Sequence, residues 1–232
     1  MNLTLQTIPS TLVSEVLVNS KFDGVVLDTE HGLFNNETLY ACIQIIKLKQ
    51  KVCYVRFAYL DKSLVRLALD AGVDGVIFST VETKSQGLDI IQYCTYPKYG
   101  GKRGQGLVRE NKWGLDTFYF KRPIIIAQLE TKTAVNNLSH ILECGFDKYV
   151  IGPYDLSSSI GHPGDWDNLE FQNLVNILYK SIPPSQLGRF ITTKKDITKY
   201  RQSNLSIPSF VIWGMDVDFL IQGTQNPEIW NT

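Results

Sequence analysis

The sequence predicts an α/β protein built as a single (β/α)8, or TIM, barrel, and three observations carry that expectation. Short apolar runs with strand character alternate with segments whose apolar residues fall at helical spacing, the pattern of a parallel sheet. The 232 residues suit one eight-unit barrel, typically about 250 residues long. The outstanding polar residues His31, Arg56, Gln128, Glu130 and Asp155 all fall at or just past the ends of apolar runs, where a barrel gathers its chemistry. A doubly wound sheet is the competitor, and the lack of G-x-G-x-x-G after the first strand counts against it. No linker-like stretch divides the chain, so residues 1–232 read as one domain.

Taken in order, Leu3 to Ile8 alternates as a first strand, and Pro9-Ser10 opens a helix through Leu17. Gly24 to Leu27 is a short buried strand ending in D-T-E-H-G. Asn35 or Asn36 caps a helix with Leu39, Cys42, Ile43 and Ile46 on one face. Val52 to Val55 is the third strand, with Arg56 at its end, and Asp61 to Leu69 is a helix closing in D-A-G. Gly75 to Phe78 is the fourth strand and Lys84 to Cys94 the helix after it. Ile124 to Leu129 reads as a fully buried fifth strand. A helix carrying Ala134, Leu138, Ile141 and Leu142 follows, stopped by Gly145, and Tyr149 to Ile151 is the sixth strand. The alternation then weakens: Leu169 to Leu178 is helical, and Gly188 to Thr192 and Phe210 to Trp213 are strands seven and eight.

Composition narrows the function classes. With 23 basic residues against 23 acids the chain is neutral, which argues against nucleic acid and anionic membranes as partners. No run of 18 apolar residues occurs, and the amino terminus lacks a basic start and long apolar core, so neither a membrane span nor a signal peptide is expected. The four cysteines are scattered without a C-x-x-C pair and read as small core hydrophobes, which suits a reducing cytoplasm.

The strand-end residues point to acid and metal chemistry. Parallel strands bring their carboxyl ends to one rim, so Glu130 and Asp155 meet there despite their separation in sequence. Two carboxylates brought together repel unless one is protonated or a cation lies between them, and oxygen ligands of this kind suit Mg²⁺ or Mn²⁺. Arg56 closes the apolar V-C-Y-V-R-F run and must find an anion or reach water. Asp70 sits at the carboxyl end of a helix, where the dipole disfavours its charge, and so calls for a partner elsewhere. His140 and His162 read as structural. The connection from Tyr96 to Arg122 is abnormally long and positive by five, seven bases against two acids, which suggests contact with an anionic small molecule, or a lid.

Six segments, F-D-G-V-V-L-D-T-E-H-G, Y-V-R-F, L-D-A-G-V-D-G-V, Y-P-K-Y-G-G-K-R-G, A-Q-L-E-T and I-G-P-Y-D-L-S, together resemble the HpcH/HpaI aldolase family, over about Phe22 to Ile160. The resemblance implies a metal-dependent class II pyruvate aldolase, a lyase that cleaves or forms a 4-hydroxy-2-oxo acid from pyruvate and an aldehyde. It implies Glu130 and Asp155 as ligands of a divalent ion (Mg, Mn or Co) and Arg56 beside the keto oxygen. Gln128 would stand near the metal and its waters, with His31 as acid/base group and Asp70 as its partner from a neighbouring subunit. If a helix starts near Tyr154, amides from Tyr154 to Leu156 would hold the pyruvate carboxylate. Family members are typically homo-oligomers, hexamers or trimers of dimers, with the last helix packed on an adjacent protomer. Strand four departs from the pattern, ending I-F-S-T-V where relatives more often carry a proline, and the region after Trp166 matches poorly apart from W-G-M-D. A related lyase of CoA thioesters and a non-catalytic assembly subunit are the competing readings.

Overall fold

The computed structural model describes residues 1–116, 118, 120–191 and 209–226, and these form a closed barrel of eight parallel strands in sequence order. The strands are β1 (Asn2–Gln6), β2 (Gly24–Asp28), β3 (Val52–Phe57), β4 (Gly75–Phe78), β5 (Ile124–Leu129), β6 (Lys148–Ile151), β7 (Leu187–Ile191) and β8 (Phe210–Met215). The helices are α1 (Thr11–Val18), α2 (Asn36–Leu48), α3 (Lys62–Ala71), α4 (Lys84–Cys94), α5 (Lys132–Asn136), α6 (Leu138–Leu142), α7 (Pro153–Ser158), α8 (Leu169–Ser181) and α9 (Asp216–Thr224). Among the described residues no helix is long and apolar enough to cross a membrane.

Strand periodicity sorts the core into two layers. Residues facing the helices, among them Val25, Leu27, Val55, Val76, Phe78, Ile125, Ala127 and Leu129, join the larger buried cluster. Their neighbours Leu5, Val26, Tyr54, Ile77, Ile126, Val150, Phe210 and Ile212 fill the barrel interior. Two positions further along, the interior face runs from Val26 to Asp28, Tyr54 to Arg56, Ile77 to Ser79, and Ile126 to Gln128 and Glu130. The alternation that packs the core therefore delivers polar groups into the mouth of the barrel.

The amino-terminal end is closed by a recurring device. The aspartates before β2, β4 and β6 each accept a backbone N–H from the start of the preceding strand. Asp23 bonds Asn2 at 2.6 Å, Asp74 bonds Cys53 at 2.9 Å and Asp147 bonds Ile125 at 2.8 Å. Lys47 and Lys121 pair with Asp74 at 2.6 and 2.8 Å, and Arg122 pairs with Asp147. These bonds pull the Asp74 carboxyl below its usual range, the Lys121 and Lys47 contacts outweighing the opposing effect of burial.

The long 96–122 connection packs against this same end. Arg103, only 4% exposed, stacks over Tyr96 at 4.5 Å and pairs with Glu110 at 2.6 Å and Asp70 at 3.0 Å. Arg109 donates to the Ala71 carbonyl at 2.8 Å. The expectation of a lid is corrected here for the chain's own mouth. An αβ connection emerges at the opposite end of the barrel, and Arg103, Arg109, Lys121 and Arg122 hold it down there.

Several boundaries also differ, three of them as follows. The first strand stops at Gln6 because the Thr7 and Ile8 amides turn to the Asp216 carboxylate. The helix read through Ala134 to Leu142 breaks at Asn137, whose side chain donates to the Glu82 carbonyl at 2.8 Å. Strand seven runs Leu187–Ile191, and Thr192 lies outside the described residues. All four cysteines are buried and free, and burial pushes each thiol above its usual range.

Asp216 fastens the last strand to the first. Its carboxylate accepts from the Thr7 amide, the Thr7 hydroxyl, the Ile8 amide and its neighbour Val217 at 2.7–3.0 Å. Asp216→Ala strands these half-buried donors and should cost about 2 kcal/mol. Urea unfolding should show a lower midpoint with an unchanged slope.

Candidate active site

The mouth is organised by one buried guanidinium. Asp28 and Arg56 are register partners on β2 and β3, and both face inward. Arg56 is 7% exposed and donates Nε and a terminal N–H to the two Asp28 oxygens at 2.8 and 2.7 Å. Its other terminal nitrogen lies 3.2 Å from Glu30, and the group sits 5.7 Å from the centre of the Phe190 ring. Burial works against the guanidinium's charge, but Asp28, with Glu30 and Glu130 behind it, outweighs that and raises its pKa. One N–H on each terminal nitrogen stays uncommitted by these contacts.

The D-T-E-H-G turn is shaped around this pair. The Glu30 amide bonds Asp28 at 3.1 Å, and Thr29 donates through its amide and hydroxyl to the Arg56 carbonyl. A side chain at Gly32 would meet the Asp28 carbonyl at 2.2 Å, so only glycine lets the turn fold back this tightly. His31 follows at the rim with its side chain 66% exposed and Nε2 3.9 Å from Glu30. The same Glu30 oxygen accepts the Ser79 hydroxyl at 2.6 Å.

Glu130 stands across the mouth, past the end of β5. It is 3% exposed. Its Oε1 accepts the Thr80 amide at 2.6 Å and the Thr80 hydroxyl at 2.7 Å, and its Oε2 accepts the Gln128 side-chain amide. A Cβ at Gly152 would sit 2.7 Å from Oε2, so a glycine after β6 leaves room for this carboxylate. Burial raises the Glu130 pKa, the Gln128 and Thr80 bonds lower it, and the charges of Glu30 and Asp155 raise it again; the net shift is upward. Asp155 lies in the first turn of α7, exposed and within electrostatic reach of Glu130. Tyr154 beside it is exposed, and α7 begins at Pro153, so the amides of 154 and 155 have no carbonyl one turn back.

His31, Arg56, Gln128, Glu130 and Asp155 thus share the mouth end of the barrel. Asp70 does not join them within the chain, being held at the other end by Arg103 at 3.0 Å and Arg66 at 3.6 Å. His140 lies exposed on α6 and His162 in the exposed turn after α7. Asp28, Glu30, Ser79 and Thr80 were not singled out from sequence. Asp28 and Glu30 carried a signal in D-T-E-H-G, two strand-end acids two positions apart, whereas Ser79 and Thr80 stood only in the I-F-S-T-V departure, with nothing to mark them as site residues.

The donor set suits a hard dication. Asp28, Glu30, Glu130 and Asp155 outnumber Arg56, the cation among them, and the Gln128 carbonyl oxygen is buried without a partner. Among the described residues no cluster of three or more His, Cys, Asp or Glu ligands forms. A pair of carboxylates completed by water and substrate oxygens is the pattern of a Mg²⁺-type site.

Comparison with known proteins places the chain in a family. The HpcH/HpaI aldolase/citrate lyase family model matches residues 9–222. A 2-keto-3-deoxy-L-rhamnonate aldolase of Shigella dysenteriae serotype 1 is 30% identical over 177 residues, 73% of this chain. The chain spans about two thirds of the length of the curated relatives it matches, 66% in that case. An HpcH/HpaI aldolase/citrate lyase family structure from Burkholderia cenocepacia J2315 superposes with TM-score 0.87 at 22% identity, covering 100% of this chain and 95% of that one. The citrate synthase SbnG superposes with TM-score 0.81 at 22% identity, covering 99% and 92%. Likeness at that identity speaks for the fold.

The raised Glu130 pKa sets a direction for stability. In the metal-free protein its ionisation is costlier than in the unfolded chain, where the ordinary value is 4.5. Stability from this group is therefore complete below pH 4.5 and is lost as pH rises through the higher folded value. Glu130→Gln removes that loss, and its carbonyl can still accept from Thr80 while a turned Gln128 amide accepts its N–H. Wild type minus variant stability in denaturant titrations without metal should fall from acid to neutral pH.

Proposed function

The chain belongs to the HpcH/HpaI aldolase/citrate lyase family, and from that premise we propose that it is a divalent-metal-dependent carbon–carbon lyase. Its reaction is cleavage of a 4-hydroxy-2-oxo acid to pyruvate and an aldehyde, reversible toward aldol addition. The observation that supports this most is the pairing of a locked guanidinium with a buried, negatively surrounded Glu130 across one barrel mouth.

Cleavage leaves an enolate whose oxygen gains charge in the transition state, and the site must stabilise it. The uncommitted Arg56 N–H groups supply fixed donors, and Asp28 and Glu30 keep the guanidinium from turning away. Glu130 and Asp155 would hold Mg²⁺, Mn²⁺ or Co²⁺, which when bound polarises the keto oxygen as a Lewis acid. The Gln128 carbonyl is available to accept from a water beside Glu130. The free amides of 154 and 155 suit the substrate carboxylate. His31, exposed at the rim, removes the proton from the 4-hydroxyl directly or through water. Asp70 orients His31 from a neighbouring subunit of a homo-oligomer, its carboxylate aligned by Arg103 and Arg66.

The CoA-thioester reading finds no support within one chain, because the basic connection that would bind the nucleotide packs at the end of the barrel away from that chain's own mouth. The name borne by the Shigella relative points to 2-keto-3-deoxy sugar acids as the first substrates to try.

Protein loaded with Mn²⁺ should release pyruvate from a panel of 4-hydroxy-2-oxo acids, detected with lactate dehydrogenase. Arg56→Lys should lower kcat by about 10²–10³-fold. A well-folded, Mn²⁺-binding protein that releases no pyruvate across a broad panel would sink the proposal. If Asp70 acts between subunits, His31→Ala and Asp70→Ala preparations, each weakly active, should regain activity when their subunits are mixed and reassembled. No recovery would put Asp70 outside the site.

A further inference from the structure

Thr80 follows β4 with φ at 51°, in the left-handed region. For a β-branched residue this is a strained conformation, and such strain persists only where its surroundings impose it. Two contacts impose it: the Thr80 amide and hydroxyl both point at Glu130 Oε1, at 2.6 and 2.7 Å. A relaxed backbone at Thr80 would turn the amide elsewhere. Neither bond serves the core, since Ser79 turns the other way, to Glu30.

The consequence follows from counting lone pairs. An ionised carboxylate offers about four acceptor positions, two per oxygen. Thr80 fills both on Oε1, and Gln128 takes one on Oε2. One position on Oε2 is left. We propose that Thr80 is a positioning residue that makes Glu130 a one-oxygen ligand, so that the site selects a compact six-coordinate dication over Ca²⁺. Ca²⁺ prefers six to eight oxygens and commonly takes both oxygens of a carboxylate, whereas Mg²⁺ and similar ions keep waters and need few carboxylate contacts. This rests on the reading of Glu130 as a metal ligand, and it names how this chain tunes that ligand.

The test is calorimetric titration of metal-free protein with Mn²⁺ and with Ca²⁺, alongside thermal unfolding without metal. Thr80→Gly accepts the left-handed backbone without strain and keeps the amide but loses the hydroxyl. It should unfold at the wild-type temperature or a few degrees above it (about 2–4 °C), yet bind Mn²⁺ about 10-fold more weakly and discriminate less against Ca²⁺. Thr80→Val, which keeps the shape and loses the hydroxyl, should show the same loss of affinity. Thr80→Ser restores the hydroxyl and should restore both affinity and selectivity. Wild-type affinity and selectivity in Thr80→Gly and Thr80→Val would overturn the role of Thr80. A Thr80→Ser protein as weak as Thr80→Val would overturn the role of the hydroxyl. Wild-type protein that binds no Mn²⁺ would instead overturn the metal-site reading itself.

Discussion

The architecture of the mouth depends on the buried Asp28–Arg56 pair. The two residues are opposite one another in the β2–β3 register, and each is the inward-facing residue closing its strand's interior row. A guanidinium at this depth is tolerable only because two oxygens meet it in parallel and a second carboxylate, Glu30, approaches from the side. Removing one partner of such a pair typically costs about 3–5 kcal/mol, because the other is left charged and dry. The pair also shapes its surroundings. Thr29 and Glu30 bond to it, and Gly32 lets the chain turn back over it, which brings His31 to the rim.

The two ends of the barrel use carboxylates to opposite effect. At the amino-terminal end Asp74 and Asp147 lie among lysines, an arginine and backbone amides, and the Asp74 carboxyl is drawn below its usual range. At the carboxyl-terminal end Glu130 is buried among other acids and rises above its own. Asp74 therefore stabilises the fold at neutral pH, a contribution that weakens on acidification. Glu130 stores unfavourable charge that a dication can relieve. The difference between Asp74 and Glu130 is that cations of the chain itself pair with the first, whereas only neutral donors bond the second.

Much of this was legible from sequence. The eight strands and the helices between them follow from period-two and period-3.6 apolar patterns, and Arg56, Gln128, Glu130 and Asp155 were visible as polar residues closing apolar runs. What escaped were features set by tertiary contact. The break at Asn137 comes from a bond to the Glu82 carbonyl 55 residues away, and the early end of β1 comes from Asp216 at the far end of the chain. The positive charge of the 96–122 connection is legible in the sequence, but charge alone does not say which end of the barrel a connection leaves from. Thr80 looks like any loop threonine in sequence. Its left-handed φ and its two bonds to Glu130 exist only once β4 and β5 lie side by side.

Fold and site decide different things in this barrel. Structures at 22% identity cover nearly the whole chain, yet one bears the name of a citrate synthase, so the barrel alone does not choose a reaction. The choice rests on side chains that alternation delivers to the mouth and on the loops beside them. Leu33, Tyr59 and Tyr154 stand exposed on the connections after β2, β3 and β6, carry no part of the core, and can change without disturbing Arg56 or Glu130. The buried residues lack that freedom, because Asp28 and Arg56 are bonded to one another and to Glu30, and Glu130 is bonded to Gln128. Chemistry common to a family can therefore reside in the bonded interior while substrate preference drifts at the rim.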